Sequence, residues 1–400
     1  MLTNDSLLKM HIPTLISLWR KNKKQNPLSQ KELAEVSAHL LSLQRGLTGE
    51  RTLVGDGYME NTSKLGAYLL YYWPVSYMQI YWAAKNCPGL QNLGGREISI
   101  LDLGCGPGPA ATSLCDQLLK NGAAPKISVT LVDYSSKAVD LAAQVFSADL
   151  KSVSTEKIVC DFQKGLPTLE KKYDIIVMGH ALNELWKKSP DANQRRLDFL
   201  LSLSKNLSDG GILFLVEPAL LETSRNLLSL RDRLIQNGFS LVSPCQNQAD
   251  CPALKSGPNH TCHAEINWKP LEPILSIAKN AGLDRESVKM TYFIFKKSPI
   301  DQSAPMESVT IKPESTAAAG KIVSDGMLNK SGRVRFLMCD GKNRIAISAK
   351  KDDPRAKEIG FFALKRYDSI SVTNPEIRGD KENPAFGIKP DTNLKIIPFA

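Results

Sequence analysis

Residues 98–110 read Ile98-Ser-Ile-Leu-Asp-Leu-Gly-Cys-Gly-Pro-Gly-Pro-Ala110. Four β-favouring positions lead to Asp102. Gly104, Gly106 and Gly108 then alternate, and small residues open a helix predicted over 110–119. The stretch is a strand, a tight glycine turn and a helix start. Glycine allows the sharp turn, and its missing side chain lets a ligand lie against the main chain at the helix N-terminus. The spacing G-x-G-x-G is not the G-x-G-x-x-G of a dinucleotide fingerprint, and the acid precedes the glycines. Taken alone, such a turn can also bind nothing, so the surrounding chain has to decide.

Downstream, strands alternate with helices. Strands are expected at 126–132, ending in Asp133, and at 157–162, which carries Asp161 and Phe162 near its end. Two more are expected at 173–178 and 212–216, the latter after a turn at Asp209-Gly-Gly211 and before Glu217-Pro218. Residues 288–295 read as a closing strand. This alternation predicts an α/β, mainly parallel, Rossmann-like sheet, whose ligands sit at the carboxyl ends of the strands. Asp102, Asp133, Asp161 and the loop 179–184 all fall there. Asp133 stands where such folds place an acid against ribose hydroxyls, and it also reads as a helix cap. The D-x-G-x-G-x-G pattern resembles motif I of class I S-adenosylmethionine (SAM) methyltransferases. That resemblance assigns Asp102, Gly104, Cys105, Gly106, Gly108, Asp133, Asp161 and Phe162 to the cofactor, with Asp161-Phe162 on the adenine.

Before this core, residues 1–96 read as a helical region. Ser29 and Glu32 form a capping box, followed by Leu33, Val36, Leu40 and Leu43 at helical spacing. The basic run 19–24 suits a solvated helix end or a phosphate contact. Residues 65–84 are uncharged, but five tyrosines, two tryptophans, Pro74 and Gln79 argue for a buried or partner-facing helix pair rather than a lipid-facing span. After the core (97–296), residues 297–320 read as a Pro/Ser/Ala-rich linker. Residues 321–400 read as a small basic β domain, with a hairpin of strands 333–338 and 344–349 about Cys339-Asp-Gly-Lys-Asn343. Strands are also expected at 359–364, 369–372 and 395–398.

The 400 residues are 42% hydrophobic and 23% charged, ordinary for a folded soluble chain. Lys and Arg number 51 against 41 Asp and Glu, so the net charge is +10, and an anionic partner such as RNA is expected. Neither a secretory signal nor an Arg-rich transit segment is visible, so a bacterial cytoplasm is expected, or the mitochondrial matrix in a eukaryotic host. A monomer without membrane attachment is expected.

Eight cysteines in a chain this long do not make a disulfide scaffold. Cys245, Cys251 and Cys262 lie in a polar insertion, 244–269, that reads as a loop without an apolar core. Three thiolates can order such a loop by holding a metal, with Cys339 at the tail hairpin as a candidate fourth ligand and His260 or His263 as substitutes. Four thiolates suit structural zinc or an iron–sulfur cluster, and the spacing matches no C-x2-C ribbon.

Taken together, Tyr71-Tyr-Trp-Pro-Val-Ser-Tyr77, the LDLGCGPGPA motif, Ala181-Leu-Asn-Glu-Leu185, Glu217-Pro218, Arg225, Leu230-Arg231, Pro244-Cys245, Cys251-Pro252, Cys262-His263 and Gly332 to Cys339 resemble a known family. It is the methyltransferase-like assembly factors of the small ribosomal subunit, found in mitochondria and bacteria. The resemblance implies a 4Fe–4S cluster on Cys245, Cys251, Cys262 and Cys339, SAM binding, and small-subunit rRNA as partner. Family members often carry Pro-His after the first cysteine, where this chain has Gln246-Asn247. A SAM-dependent methyltransferase acting on rRNA is the activity such a core would have, and it is also open to having been lost. The loop after the fourth strand lacks the Asn/Asp-Pro-Pro-aromatic motif of base amino methylation, and no cysteine nucleophile lies near it. His180 and Glu184 remain as a base or as structural residues, and no catalytic residue is assigned. Two alternatives stay open: a small-molecule or protein methyltransferase with structural zinc, and a non-catalytic ribosome-associated protein.

Overall fold

The structure is a computed structural model describing residues 4–20, 27–44, 62–91, 93, 97–120, 122, 126–245, 247–283, 286–297, 318–379 and 384–399. The chain begins with α1 (Asn4–Arg20) and α2 (Gln30–Gln44). The capping box opens α2: Ser29 N donates to Glu32 at 2.9 Å and Glu32 N to Ser29 Oγ at 3.3 Å. Such a cap contributes about 1 kcal/mol. Leu33, Val36, Leu40 and Leu43 are all buried. Trp19 is buried and Arg20 pairs with Glu32 at 2.6 Å, so these two belong to helix packing; 21–24 of the basic run lie outside the described residues.

The tyrosine-rich segment is one continuous helical run rather than a pair of helices. It comprises α3 (Thr62–Ala67), a π-helical turn (Tyr68–Tyr72) and α4 (Trp73–Lys85). Leu69, Leu70, Tyr71, Trp73, Tyr77 and Tyr81 are buried, as the core-packing reading requires. No described helix is long and apolar enough to cross a membrane.

After the short α5 (Pro88–Gln91) come β1 (Ile98–Leu103), α6 (Pro109–Lys120), β2 (Ile127–Asp133), α7 (Ser136–Asp149), β3 (Val153–Val159) and β4 (Tyr173–Gly179). The run continues with α8 (Ala192–Leu203), β5 (Leu207–Pro218), α9 (Leu221–Gln236), β6 (Phe239–Ser243), α10 (Pro252–Lys255), β7 (Ala264–Asn267), α11 (Ile274–Asn280) and β8 (Ser287–Lys297). The sheet order is β3-β2-β1-β4-β5-β8-β6, with β7 also on β8. The β1–β5 pairings are parallel, while β8 runs antiparallel to β5, β6 and β7. This is the class I methyltransferase core. Its central strand β1 is buried on both faces, which is why it reads as a nearly unbroken apolar run.

Three expectations for the core need correction. The third strand spans 153–159, not 157–162: its edge position exposes most of it, so β-propensity carries little burial signal there. That leaves Cys160, Asp161 and Phe162 in the following loop. Asp209-Gly-Gly211 does not end a turn before a strand but lies within β5, where the pairing to β4 shifts register after Tyr173↔Leu207. Gly210 takes φ +72° to make this irregularity. The insertion 244–269 is not devoid of a core: it contains α10 and β7, with Cys251, Ala253, Ala264, Ile266 and Trp268 buried.

The tail folds as a second sheet. Its strands are β9 (Ala318–Ile322), β10 (Met327–Leu328), β11 (Arg333–Cys339), β12 (Arg344–Lys350), β13 (Ser369–Thr373), β14 (Glu376–Gly379), β15 (Pro384–Gly387) and β16 (Asn393–Ile397). The order is β14-β15-β12-β11-β9-β13-β16, with β10 on β11. The predicted hairpin is β11–β12. Residues 359–364 are not a strand: after α12 (Pro354–Glu358), Gly360 turns at φ +75° into a 3-10 turn, Phe361–Ala363, that buries Phe361. Of the segment read as a linker, 298–317 lie outside the described residues, and 318–320 already belong to β9. Val323, Tyr367 and Phe399 pack into the main core, so the two sheets share an apolar contact.

Candidate functional site

The glycine turn is held from three sides. The Asp102 carboxylate is buried beneath it and accepts from Ala111 N at 3.1 Å; burial, with Asp133 adding to it, pushes its pKa up to about 7. Asp133 Oδ2 accepts from Gly106 N at 2.9 Å and Oδ1 from Ser135 N at 3.0 Å; the N-cap of α7 is Ser135, which accepts from Ala138 N at 3.2 Å, so Asp133 is not itself the cap. Burial raises its pKa as well. Gly104 sits at φ +72°, and a Cβ there would lie 2.4 Å from the Cβ of Ala181 in the loop after β4. Gly106 differs: at φ +51°, its nearest neighbour in that direction is the Tyr68 hydroxyl, 3.4 Å from the Cβ position. Gly106 is therefore the glycine whose open side faces the roof of the site. Cys105 is buried under the turn, and burial holds its thiol far above the usual range.

The roof is the tyrosine-rich helix. Tyr68, on the π-turn, overhangs Gly106, while Trp73 Nε1 donates to Pro107 O at 3.0 Å. One-turn π-helices recur where a helix must aim a side chain at a site. Further along, Gln79 Nε2 donates to Lys289 O at 2.7 Å, so its Oε1 accepts from His180 Nε2 at 2.7 Å. This fixes the imidazole tautomer and leaves His180 Nδ1 as a buried acceptor without a hydrogen-bond partner among the described residues. His180 takes φ +62°, and burial pulls its pKa down to about 4. It is neutral at pH 7 and a weak base.

Asp161 pairs with Lys164 at 3.1 Å and is partly exposed, while Phe162 is buried and stacks on Phe199 with ring centroids 5.6 Å apart. Phe162 is thus a neighbour of the turn, its ring 3.7 Å from the Cβ position of Gly104. The loop after β4 is set from below. Glu217 accepts from Asn183 N at 3.0 Å and from Asn183 Nδ2, and Arg196 donates to Asn183 O at 2.8 Å and Leu185 O at 3.0 Å. Burial, with the Glu184 charge adding to it, pushes Glu217 up to about 8. Tyr68 and Gln79 were hidden to sequence reasoning among aromatics with good packing explanations. Only the π-turn's uneven spacing of tyrosines hints at them.

The second site lies between the sheets. Cys245, Cys251, Cys262 and Cys339 line one cavity of about 40 Å³, together with Arg231, Lys321 and Tyr367. The insertion is folded onto it by arginines of α9. Arg231 donates to Asn247 O at 2.9 Å and to Ala249 O, and Arg225 to Gly257 O at 2.7 Å and His260 O at 2.6 Å. Asp232 receives Cys251 N at 2.9 Å. The tail closes the cavity with Cys339, with Tyr367, whose hydroxyl is 3.3 Å from Cys262 Sγ, and with the hairpin turn, where Asn247 Nδ2 donates to Asp340 O at 3.4 Å. Gly341 is required there: at φ +91°, a Cβ would fall 1.2 Å from Asn247 Nδ2.

Burial pushes Cys245 and Cys251 up to about 11 and raises Cys262 and Cys339; the other thiols add to this at each of the four. Four thiols that line one cavity, Cys251 buried and the other three cysteines half-buried, fit a cationic or cluster occupant, which would reverse these shifts. Among the described residues, no three His, Cys, Asp or Glu side chains are spaced for a single metal ion. His263, a candidate substitute ligand, has a buried Nδ1 without a hydrogen-bond partner among the described residues, and burial draws its pKa down to about 4.

A family model described as "Mitochondrial small ribosomal subunit Rsm22" matches residues 64–352, from the roof helix through β12. The chain belongs to the Rsm22 family. Malonyl-[acyl-carrier protein] O-methyltransferase of Priestia megaterium is 33% identical over 86 residues, 22% of this chain and 27% of that enzyme. Among solved structures, the plantazolicin methyltransferase BpumL with SAH covers 67% of this chain and 99% of its own, at 14% identity and TM-score 0.35. An rRNA methylase from Streptococcus thermophilus covers 55% and 94%, at 13% identity and TM-score 0.27. The fold assignment for this Rsm22-family chain rests on its own strand order.

Proposed function

We propose that this Rsm22-family protein binds SAM at the glycine turn and a 4Fe–4S cluster at the four cysteines, and contacts small-subunit rRNA during ribosome assembly or translation. The place of action follows the host, bacterial cytoplasm or mitochondrial matrix. One observation carries the reading: four thiols from the insertion and the tail hairpin line one cavity between the two sheets. Cys245, Cys251, Cys262 and Cys339 would hold the cluster, which would join the tail sheet to the core in a fixed pose. Four thiolates suit structural zinc or a cluster, and the cluster is the occupant that the family resemblance implies. Asp102 and the glycines would shape the SAM site, Asp133 would take the ribose, Asp161-Phe162 would border the adenine, and Tyr68 would face the cofactor from above.

Binding is better supported than catalysis. A SAM enzyme needs positioning and often a base. His180 is a weak base, and Glu217 is engaged by Asn183. An rRNA methyltransferase remains the form the activity would take if transfer occurs. Anaerobic purification tests the cluster: broad absorption near about 400 nm with iron and sulfide is expected, and a colourless zinc protein would overturn it. Calorimetry with SAM tests the glycine turn, and sedimentation with small subunits followed by sequencing of bound RNA tests the partner.

A further inference from the structure

The tail sheet has one face toward its own core, where Phe336 and Met338 of β11 and Ile345, Ile347 and Ala349 of β12 are buried. The alternate positions form the other face: at one end Leu337, Cys339 and Arg344 turn to the main core and the cysteine cavity, while at the far end Arg335 and Lys350 are exposed and Arg333 is half-buried. Register sets Arg333 directly opposite Lys350, and Arg335 opposite Ser348, which in turn is paired with Gly387 of β15. Arg333 lies across Ser348, donating to its carbonyl at 3.2 Å and reaching its hydroxyl at 3.4 Å. Arg378 of β14 lies across Gly387, where a Cβ would be 2.7 Å from its Nε. A Cβ on Gly387 would also lie 2.6 Å from Glu376 Oε2, so the small residues Ser348 and Gly387 leave room over the sheet for Arg333, Arg378 and Glu376. Burial first, then the charge of Arg378, holds Arg333 below its ordinary value.

Like charges directly across a strand pair are destabilising. The counter-charges are few: Glu376 pairs with Arg378 at 2.5 Å, and Asp353, near Arg333, is engaged in capping α12. Such a cluster is poorly placed for fold stability and well placed for closely spaced phosphates. The described outward positions of β11, β12, β14 and β15 include no aromatic ring on which an unpaired base would stack; Phe386 packs toward the tail core.

We infer that the outward face of β11, β12, β15 and β14, with Arg333, Arg335, Lys350 and Arg378, docks the phosphate backbone of double-stranded RNA. The inference rests on the rRNA reading above and narrows it: paired RNA is read by phosphate spacing and shape, whereas unpaired RNA asks for stacking platforms.

The test is fluorescence anisotropy with the full chain, using an RNA duplex of roughly 16 base pairs, an unpaired strand of the same length and phosphatidylserine vesicles. The duplex is expected to bind about tenfold tighter than the strand. The triple variant Arg333→Gln, Lys350→Gln, Arg378→Gln is expected to lose roughly 10–100-fold in duplex affinity at about 0.1 M salt, and its salt slope to fall by about one for each phosphate contact removed. Its Tm should hold or rise, because repulsion is relieved. The charge-keeping variant Arg333→Lys, Arg378→Lys should retain most of the binding. If the unmodified chain binds no RNA, the rRNA reading itself falls. If it binds RNA and the triple variant binds equally, the rRNA reading stands and this face is wrong. A preference for the unpaired strand, binding to vesicles alone, or affinity lost only in step with Tm would each overturn the inference.

Discussion

The glycine turn belongs to one contiguous βα unit, whereas the cysteine cavity is assembled from an insertion in one sheet and a hairpin of the other. The first is fixed by main-chain conformation: Asp133 holds Gly106 N, and Gly104 meets Ala181. The second exists only once α9 has gathered the insertion through Arg225 and Arg231 and the tail has docked through Tyr367 and Gly341. A site built locally should survive damage elsewhere in the fold; a site built between sheets should fail with any of its parts.

Removing a cysteine should therefore have the largest effect. Cys339→Ser is expected to abolish absorption near about 400 nm and co-sedimentation with small subunits, while SAM binding stays within about twofold. Iron analysis and calorimetry on the same preparation check both halves. Loss of SAM heat along with the iron would show that the two sites are not separable. The converse probe is Gly104→Ala, whose Cβ would collide with Ala181 at a backbone conformation unsuited to a side chain. A cost of about 2–4 kcal/mol is expected from overpacking and strain together, read as the midpoint of urea unfolding. Gly106→Arg should instead remove SAM heat at a smaller stability cost, because among the described residues the Tyr68 hydroxyl, at 3.4 Å, is what a Cβ there would meet.

This contrast also explains what was legible in the sequence. The glycine turn, β1, β2 and the α2 cap were readable because each is set by neighbours in sequence. The four cysteines stood out as a candidate metal set from their place in a polar insertion and a hairpin tip, but spacing left zinc and a cluster equally open, since Cys245 and Cys339 meet only by docking; resemblance to a family supplied the cluster. Residues 359–364 misled because an apolar run of that length fits a strand or a buried turn equally, and Gly360 at φ +75° decides for the turn. Tyr68 and Gln79 were concealed by their own good packing. A tyrosine among buried tyrosines carries no mark that its hydroxyl faces the glycine turn, as that of Tyr68 does.

The two sites should also part company with pH. His11, buried on α1, is hydrogen-bonded to Asp116 of α6 and Asp149 of α7, each at 2.8 Å. Burial opposes its charge, but the two carboxylates outweigh it and raise its pKa from 6.5 to about 9. A raised folded-state value stabilises the fold fully below pH 6.5, and the contribution is lost as pH climbs through about 9. The linkage is worth about 3 kcal/mol at most. These contacts clamp α1 onto the glycine-turn side, so between pH 7 and about 9.5 the Tm and SAM heat should decline before the cluster spectrum does. His11→Gln should flatten that decline. A cluster spectrum that fades first would reverse the order of robustness drawn here.

Tyr68→Phe is the mildest probe and the most local. It removes one hydroxyl above Gly106 and leaves the ring that packs in the roof. A hydrogen bond of this kind contributes about 0.5–1.5 kcal/mol, so SAM affinity should fall roughly 3–10-fold with Tm and iron content unchanged. 5′-Methylthioadenosine, which lacks the amino-acid end of SAM, separates two sources of the loss. Equal binding of it by both proteins would place the hydroxyl against the methionine end, and a matching loss would place it against the ribose. If SAM affinity does not change at all, the roof contributes shape alone, and the glycine turn is even more self-contained than its contacts with the N-terminal helix suggest.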